Sequence, residues 1–139
     1  MFSELKVIDI STVLAGPSVG TFFSELGATV IKIESPFHGD VTRSWKLSSE
    51  DPSSKISAYF SSVNYKKRYI KLDYSLEEDH NVLLNLVKDA DILLSNFKYG
   101  DAEKFKLTDA VLTSLNPRLI HGKISGFGQN SDRVAYDLI

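Results

Sequence analysis

Three groups of side chains carry enough chemistry to point towards a function. Asn96, Phe97 and Lys98 stand together and offer an amide, an aromatic face and a cation, a set suited to a nucleotide that carries phosphates. Lys66, Lys67 and Arg68 form a dense basic run, which reads either as a solvated edge or as a local anion site. Glu34 follows Gly16 at about the 20-residue spacing at which a dinucleotide fold sets the acid that grips a ribose. The turn itself argues against that cofactor. Gly16-Pro17-Ser18-Val19-Gly20 is not G-x-G-x-x-G, and Pro17 lacks an N–H where a pyrophosphate would need donors, so the glycines read as turning residues. His38, His80 and His121 show no metal-ligand spacing, there is no G-x-S-x-G, and the scattered acids form no pair. These residues suit binding better than bond-making.

The elements that must position them follow from periodicity. Residues 5–10 read as a buried strand, Gly16 and Pro17 as a turn, and Val19, Phe22, Phe23 and Leu26 as one face of a helix that Gly27 closes. Residues 28–34 form a second strand, so the chain opens as a β-α-β unit with a parallel pair. Residues 35–54 make a long surface excursion, in which Arg43 and Trp45 mark the early part as functional. Residues 57–63 read as a short helix or strand, and 69–73 alternate like a strand with one solvated face. Ser75 and Glu78 have the spacing of a capping box ahead of a helix using Val82, Leu83, Leu86 and Val87. A strand over 90–94, a loop over 95–100 and a weak helix near 102–105 come next. Thr108 caps a helix ended by Asn116-Pro117, and a strand over 119–124 leads to a glycine-rich loop. The class is α/β, a Rossmann-like, mostly parallel sheet flanked by helices. Ligands of such sheets bind beyond the carboxyl ends of the strands, which directs attention to residues 13–17.

Composition narrows the classes further. With 139 residues, 42% of them hydrophobic, the chain can bury one core. Eighteen acidic and 16 basic residues give no bulk attraction for nucleic acid, and the absence of cysteine removes disulfides, thiolate metal sites and Cys nucleophiles. Neither a signal peptide nor a membrane span is predicted, so we expect no membrane partner and a cytoplasmic location. Residues 135–139 stop inside an apolar stretch, which reads as a truncation.

Several motifs in order carry a specific resemblance. Val13-Leu14-Ala15-Gly16-Pro17, residues 27–34, 39–43, 64–68, 90–97 and 116–129 strongly resemble the family III CoA-transferases of the CaiB/BaiF type, across essentially the whole chain. The group includes formyl-CoA transferase, carnitine CoA-transferase and α-methylacyl-CoA racemase. The resemblance implies that residues 1–139 are the amino-terminal, CoA-binding part of a larger enzyme that forms interlocked homodimers. It implies coenzyme A as the ligand, with acyl-CoA and a carboxylic acid acceptor as substrates and no metal.

Residue by residue, it implies cofactor contacts at Val13 and Ala15, with Val13 in the wall near the pantetheine. Leu72, Asn96, Phe97 and Lys98 resemble the contacts to adenine and ribose-phosphate. Lys104 stands where a family arginine meets phosphate, keeping charge but losing the planar fork. Lys67 and Arg68 match a basic pair whose contribution is electrostatic or structural. The family nucleophile is an aspartate, which passes through a mixed anhydride to an aspartyl-CoA thioester. The resemblance puts it beyond Ile139, so no catalytic residue is expected in this chain. Leu14 stands where oxalate-specific members have glutamine. Tyr136 replaces the histidine of the racemase branch, and a phenol with an ordinary pKa near 10 is a poor base at neutral pH, which favours transferase over racemase. Tyr136 is then a substrate-orienting residue. A racemase-type fragment and a non-catalytic module that binds CoA or a protein are the alternatives.

Overall fold

The computed structural model describes residues 1–128 and 130–135. Strands and helices alternate as β1 (Lys6–Asp9), α1 (Ala15–Glu25), β2 (Thr29–Glu34), α2 (Ala58–Val63), β3 (Arg68–Lys71), α3 (Glu77–Lys88), β4 (Ile92–Ser95), α4 (Asp101–Lys104), α5 (Asp109–Leu115) and β5 (Ile120–Lys123). The five strands make one sheet in the order β3-β2-β1-β4-β5, every neighbouring pair parallel. The chain thus has the α/β, Rossmann-like architecture its periodicity predicts. The sheet grows outward from β1 through β2 to β3, and α3 then returns the chain to the other flank of β1. That reversal makes a topological switch point at the carboxyl ends of β1 and β4, where sheets of this kind form the crevice that takes a ligand.

Two cores hold the layers. On one face Phe23 of α1, with Phe2 and Leu5, packs on Val7, Val30, Ile92 and Leu94. On the other, Leu83 and Val87 of α3 and Leu112 of α5 pack on Ile8, Ile10, Ile33 and Leu93. Strand β4 is buried along its whole length, and its Ile92-Leu93-Leu94 is the continuous apolar run of a strand covered on both faces. Leu83, Val87 and Leu93 are fully buried, each contributing about 1.5–3 kcal/mol relative to exposure.

The details depart from the sequence reading in instructive places. Helix α1 starts at Ala15, so Gly16 and Pro17 lie in its first turn and Gly20 inside it; none of the three turns the chain. Pro17 is tolerated because a first-turn N–H has no intrahelical acceptor. The capping box does not form. Leu76 occupies the N-cap of α3, and Ser75 donates its N–H and its hydroxyl to Asp73 Oδ1 at 3.1 and 2.5 Å. The nearer carboxylate captures the hydroxyl in a local turn, and Asp79 instead accepts the Asp73 N–H at 2.7 Å. Segment 57–63 resolves as a helix, with Ser57 Oγ accepting the Phe60 N–H at 2.9 Å. Thr108 caps α5 as expected. Val82 is 43% exposed rather than part of the packed face. Tyr136, the expected substrate-orienting residue, lies outside the described residues.

Candidate functional site

The crevice floor is segment 11–13, which leaves β1 and runs towards α1. Side chains from four other places grip its backbone group by group. Asp9 Oδ1 accepts the Ser11 N–H at 3.0 Å, and Lys32 Nζ donates to the Ser11 carbonyl at 2.8 Å. Asn96 takes both polar groups of Thr12: its Oδ1 accepts the N–H at 3.0 Å and its Nδ2 donates to the carbonyl at 2.8 Å. Asp40 Oδ2 accepts the Val13 N–H at 3.3 Å. Val13 itself has φ of 72°, a left-handed backbone that a β-branched residue avoids, at a cost of about 1–3 kcal/mol.

Asp9, Lys32 and Asp40 belong to a buried charge network on the α1 face. Lys32 pairs with Asp40 at 3.0 Å and Lys67 with Asp9 at 2.8 Å, all four side chains at most 1% exposed. Burial works to raise the Asp40 carboxyl, but the Lys32 ammonium and the Thr42 hydrogen bonds outweigh it and hold the group below its ordinary range. Burial lowers Lys67 against the pull of the Asp9 carboxylate. A third pair joins Arg43 to Glu34 at 2.6 Å, and the Arg43 guanidinium stacks over Phe60 at 3.8 Å from the ring centroid. Its hydrogen bond to Glu34 raises Arg43 despite burial.

Helix α1 reaches this network because it lacks side chains where it crosses. A Cβ on Gly16 would overlap the Ser11 side chain, and one on Gly20 would come within 2.8 Å of Asp9 Oδ2 and 2.9 Å of Lys67 Nζ. The two glycines therefore serve close approach rather than turning.

The structure gathers some of the predicted contacts at the crevice and sets others apart. Val13 is half-buried on its floor, and Ala15 is exposed at the start of α1. Asn96 lies at the mouth of β4 with its amide engaged on Thr12. Phe97 is half-buried against Phe105, 5.7 Å between centroids, and Lys98 beside it is exposed. Lys104 is exposed at the end of α4, with its ammonium over the Phe105 ring at 5.1 Å. Leu72 is a core residue, 8% exposed, whose N–H bonds the Glu34 carbonyl at 3.0 Å. Lys67 is not a free cation: besides Asp9 its ammonium donates to the carbonyls of Pro17 and Val63 and to Asn64 Oδ1, at 2.7, 2.9 and 3.0 Å. Of that basic pair, Lys67 is thus the structural member, and Arg68 is exposed at the start of β3. Glu34 accepts two Arg43 bonds and the Asp40 N–H, which leaves its buried carboxylate no role as a ribose acid.

A second polar cluster lies on the other face, beyond β4 and β5. Ser95 Oγ and His121 Nε2 are 2.8 Å apart, His121 Nδ1 is 3.2 Å from Asp109, and Lys123 Nζ is 2.5 Å from the same carboxylate. A cavity of about 390 Å³ adjoins it, lined by residues that include Leu112, Leu119 and His121. The order resembles a nucleophile, base and acid, but Ser95 is 1% exposed and out of reach of a substrate. Burial lowers His121 despite Asp109, so the ring is a neutral link between strand and helix.

Lys32, Asp40 and Asp9 are the site residues that sequence reasoning missed. Their signal was present in two of the three: Asp9 and Lys32 are single charges inside apolar strands, where a charge needs a buried partner. Asp40, in a polar loop, carries no such mark. Among the described residues no group of His, Asp or Glu could hold a metal ion, and no helix is long and apolar enough to cross a membrane.

Comparison with known proteins adds an independent line. The family model described as CoA-transferase family III matches residues 2–139. A succinate–glutarate CoA-transferase of Agrobacterium fabrum is 38% identical over 99% of this chain and 36% of its own length. An acyl-CoA transferase of Fusarium pseudograminearum is 40% identical over 97% of this chain and 31% of its own. The crystal structure of a CAIB/BAIF family protein from Brucella suis superposes with a TM-score of 0.87 at 39% identity, covering 98% of this chain and 37% of that one. The chain thus spans about a third of the length of these relatives.

Proposed function

This chain belongs to CoA-transferase family III, and from that premise we propose that residues 1–139 are the CoA-binding part of an acyl-CoA:carboxylate CoA-transferase. The observation that carries the proposal is the topological switch point between β1 and β4, where Asn96 ties residues 96–98 to segment 11–13. Val13 and Ala15 bound the pantetheine side. Phe97 offers a face to adenine, while Lys98 and Lys104, both exposed, meet phosphate. Asn96 acts through the loop it clamps. The reaction partners are an acyl-CoA and an acceptor carboxylic acid. The carboxylate of an aspartate outside this chain attacks the acyl carbonyl of the acyl-CoA, giving a mixed anhydride and CoA thiolate. The thiolate then attacks the aspartyl carbonyl, forming an aspartyl-CoA thioester and releasing the donor acid as its carboxylate, and the acceptor acid runs the exchange in reverse. On this reading the chain alone is inactive, works in the cytoplasm and belongs to a homodimer of the whole enzyme.

Isothermal titration of the protein with CoA, and separately with NAD, tests the proposal. Saturable CoA binding without NAD binding is expected. NAD binding alone, or no binding of either, would overturn it.

A further inference from the structure

The Asp40 carboxylate divides its work in a way a local turn residue has no need of. Its Oδ1 accepts the Thr42 N–H and hydroxyl at 3.0 and 2.7 Å, which completes the capping of the 3-10 turn that follows. Its Oδ2 faces the other way, to Lys32 Nζ at 3.0 Å and to the N–H of Val13, 27 residues earlier. Lys32 in turn holds the carbonyl of Ser11. The pair therefore bonds both ends of segment 11–13, and the half-buried Val13, between that pair and the start of α1, keeps a backbone that Val avoids. Such a conformation persists only where its surroundings over-determine it, and such residues collect at ligand sites.

We infer that Asp40 and Lys32 are positioning residues for the crevice: the buried pair imposes the left-handed backbone at Val13 and so sets the shape of the floor that receives the acyl-CoA. The inference rests on the CoA reading for its ligand but not for its geometry. Neither residue touches the ligand. Both act through segment 11–13, whose side chains are presented in one arrangement before binding, and binding to a preformed floor avoids the ordering entropy.

The test uses Asp40→Asn, Val13→Gly and the double variant, read by amide hydrogen exchange, thermal melting and CoA titration. Asn can cap Thr42 with its oxygen but then turns an amide donor towards Val13 N–H and Lys32. Amide exchange at Val13 is expected to quicken at least tenfold in Asp40→Asn, and CoA affinity to fall at least tenfold. Glycine adopts positive φ without a clamp, so Val13→Gly in the Asp40→Asn background should recover part of the lost melting temperature, a rescue that a second, independent destabilisation would not give. Val13→Gly alone should melt above the parent chain. Unchanged exchange and affinity in a folded Asp40→Asn variant, or no recovery in the double variant, would overturn the inference. If Asp40→Asn does not fold, the single Val13→Gly variant decides: a higher melting temperature supports an imposed backbone and a lower one contradicts it. If the parent chain binds no CoA, the ligand assignment fails, and the exchange rates alone decide whether Asp40 holds the floor.

Discussion

The carboxyl edge of the sheet carries two polar clusters, one on each face, and they are built differently. On the α1 face Asp9, Lys32, Asp40 and Lys67 have side chains at most 1% exposed; the first three bond the backbone of segment 11–13, and Lys67 holds Asp9. On the α5 face Asp109 is 59% exposed and Lys123 28%, and the cluster joins the ends of the neighbouring strands β4 and β5 to one short helix. Buried charges must find partners or incur a large desolvation penalty, whereas exposed ones are screened. The first cluster therefore dictates a backbone shape, and the second trims an edge. The first grips segment 11–13 at the switch point, whereas the second meets that edge only through the buried Ser95 at the end of β4. A network that costs stability to bury makes sense where it fixes the geometry of a binding floor.

If that difference is real, substitutions should sort by face. The largest loss is expected from Lys67→Met, which leaves Asp9 buried without its cation and three further acceptors without a donor; chemical denaturation should report about 3–5 kcal/mol. Gly16→Ala comes next. Its methyl would overlap the Ser11 side chain beneath α1, so a loss of about 1–3 kcal/mol is expected, with near-neutral Gly→Ala behaviour as the contrary result.

The pH response separates the faces differently. Burial puts folded His121 below its ordinary 6.5, so on acidification through that value the unfolded chain binds the proton first. Stability from the neutral ring is full above about 6.5 and drains below it. Asp40, also lowered from 3.8, keeps its contribution until the pH falls through that range and below, and Asp109, held down first by its hydrogen bond from Lys123, adds to the same acid stage. Melting temperature should thus fall in two stages, and His121→Gln should flatten the first while leaving the second. An unchanged first stage would show that His121 is not its source. The smallest effect is expected from Lys123→Ala, below about 1 kcal/mol for a half-solvated pair.

Much of this architecture was legible in the sequence, because parallel buried strands and an amphipathic helix leave periodic marks. Ile92-Leu93-Leu94 and the Leu83, Val87 pair announced their places. Glycines were harder: Gly16 and Gly20 look like turn formers on a line of text, and only the packing of α1 on Ser11, Asp9 and Lys67 shows why they lack side chains. Ser75 and Glu78 had the right spacing for a cap, but Asp73 lay nearer the hydroxyl, a competition that spacing alone does not weigh. The candidate site was legible as a loop position and less so in its contacts. The loop beyond β1 was singled out, as was Asn96, yet the partner of Asn96 is a backbone 84 residues earlier. Lys67, read as one of a basic run, needed the fold to reveal its four acceptors. Charges inside apolar strands, Asp9 and Lys32, were the overlooked signal.

The most direct test of the central claim is to follow the backbone amide resonances of the protein during titration with CoA. The account predicts that Thr12, Val13, Asn96, Phe97 and Lys98 shift together and saturably, while Asp109, His121 and Lys123 on the far face stay in place. Shifts confined to the α5 face, or spread without regard to the crevice, would contradict it.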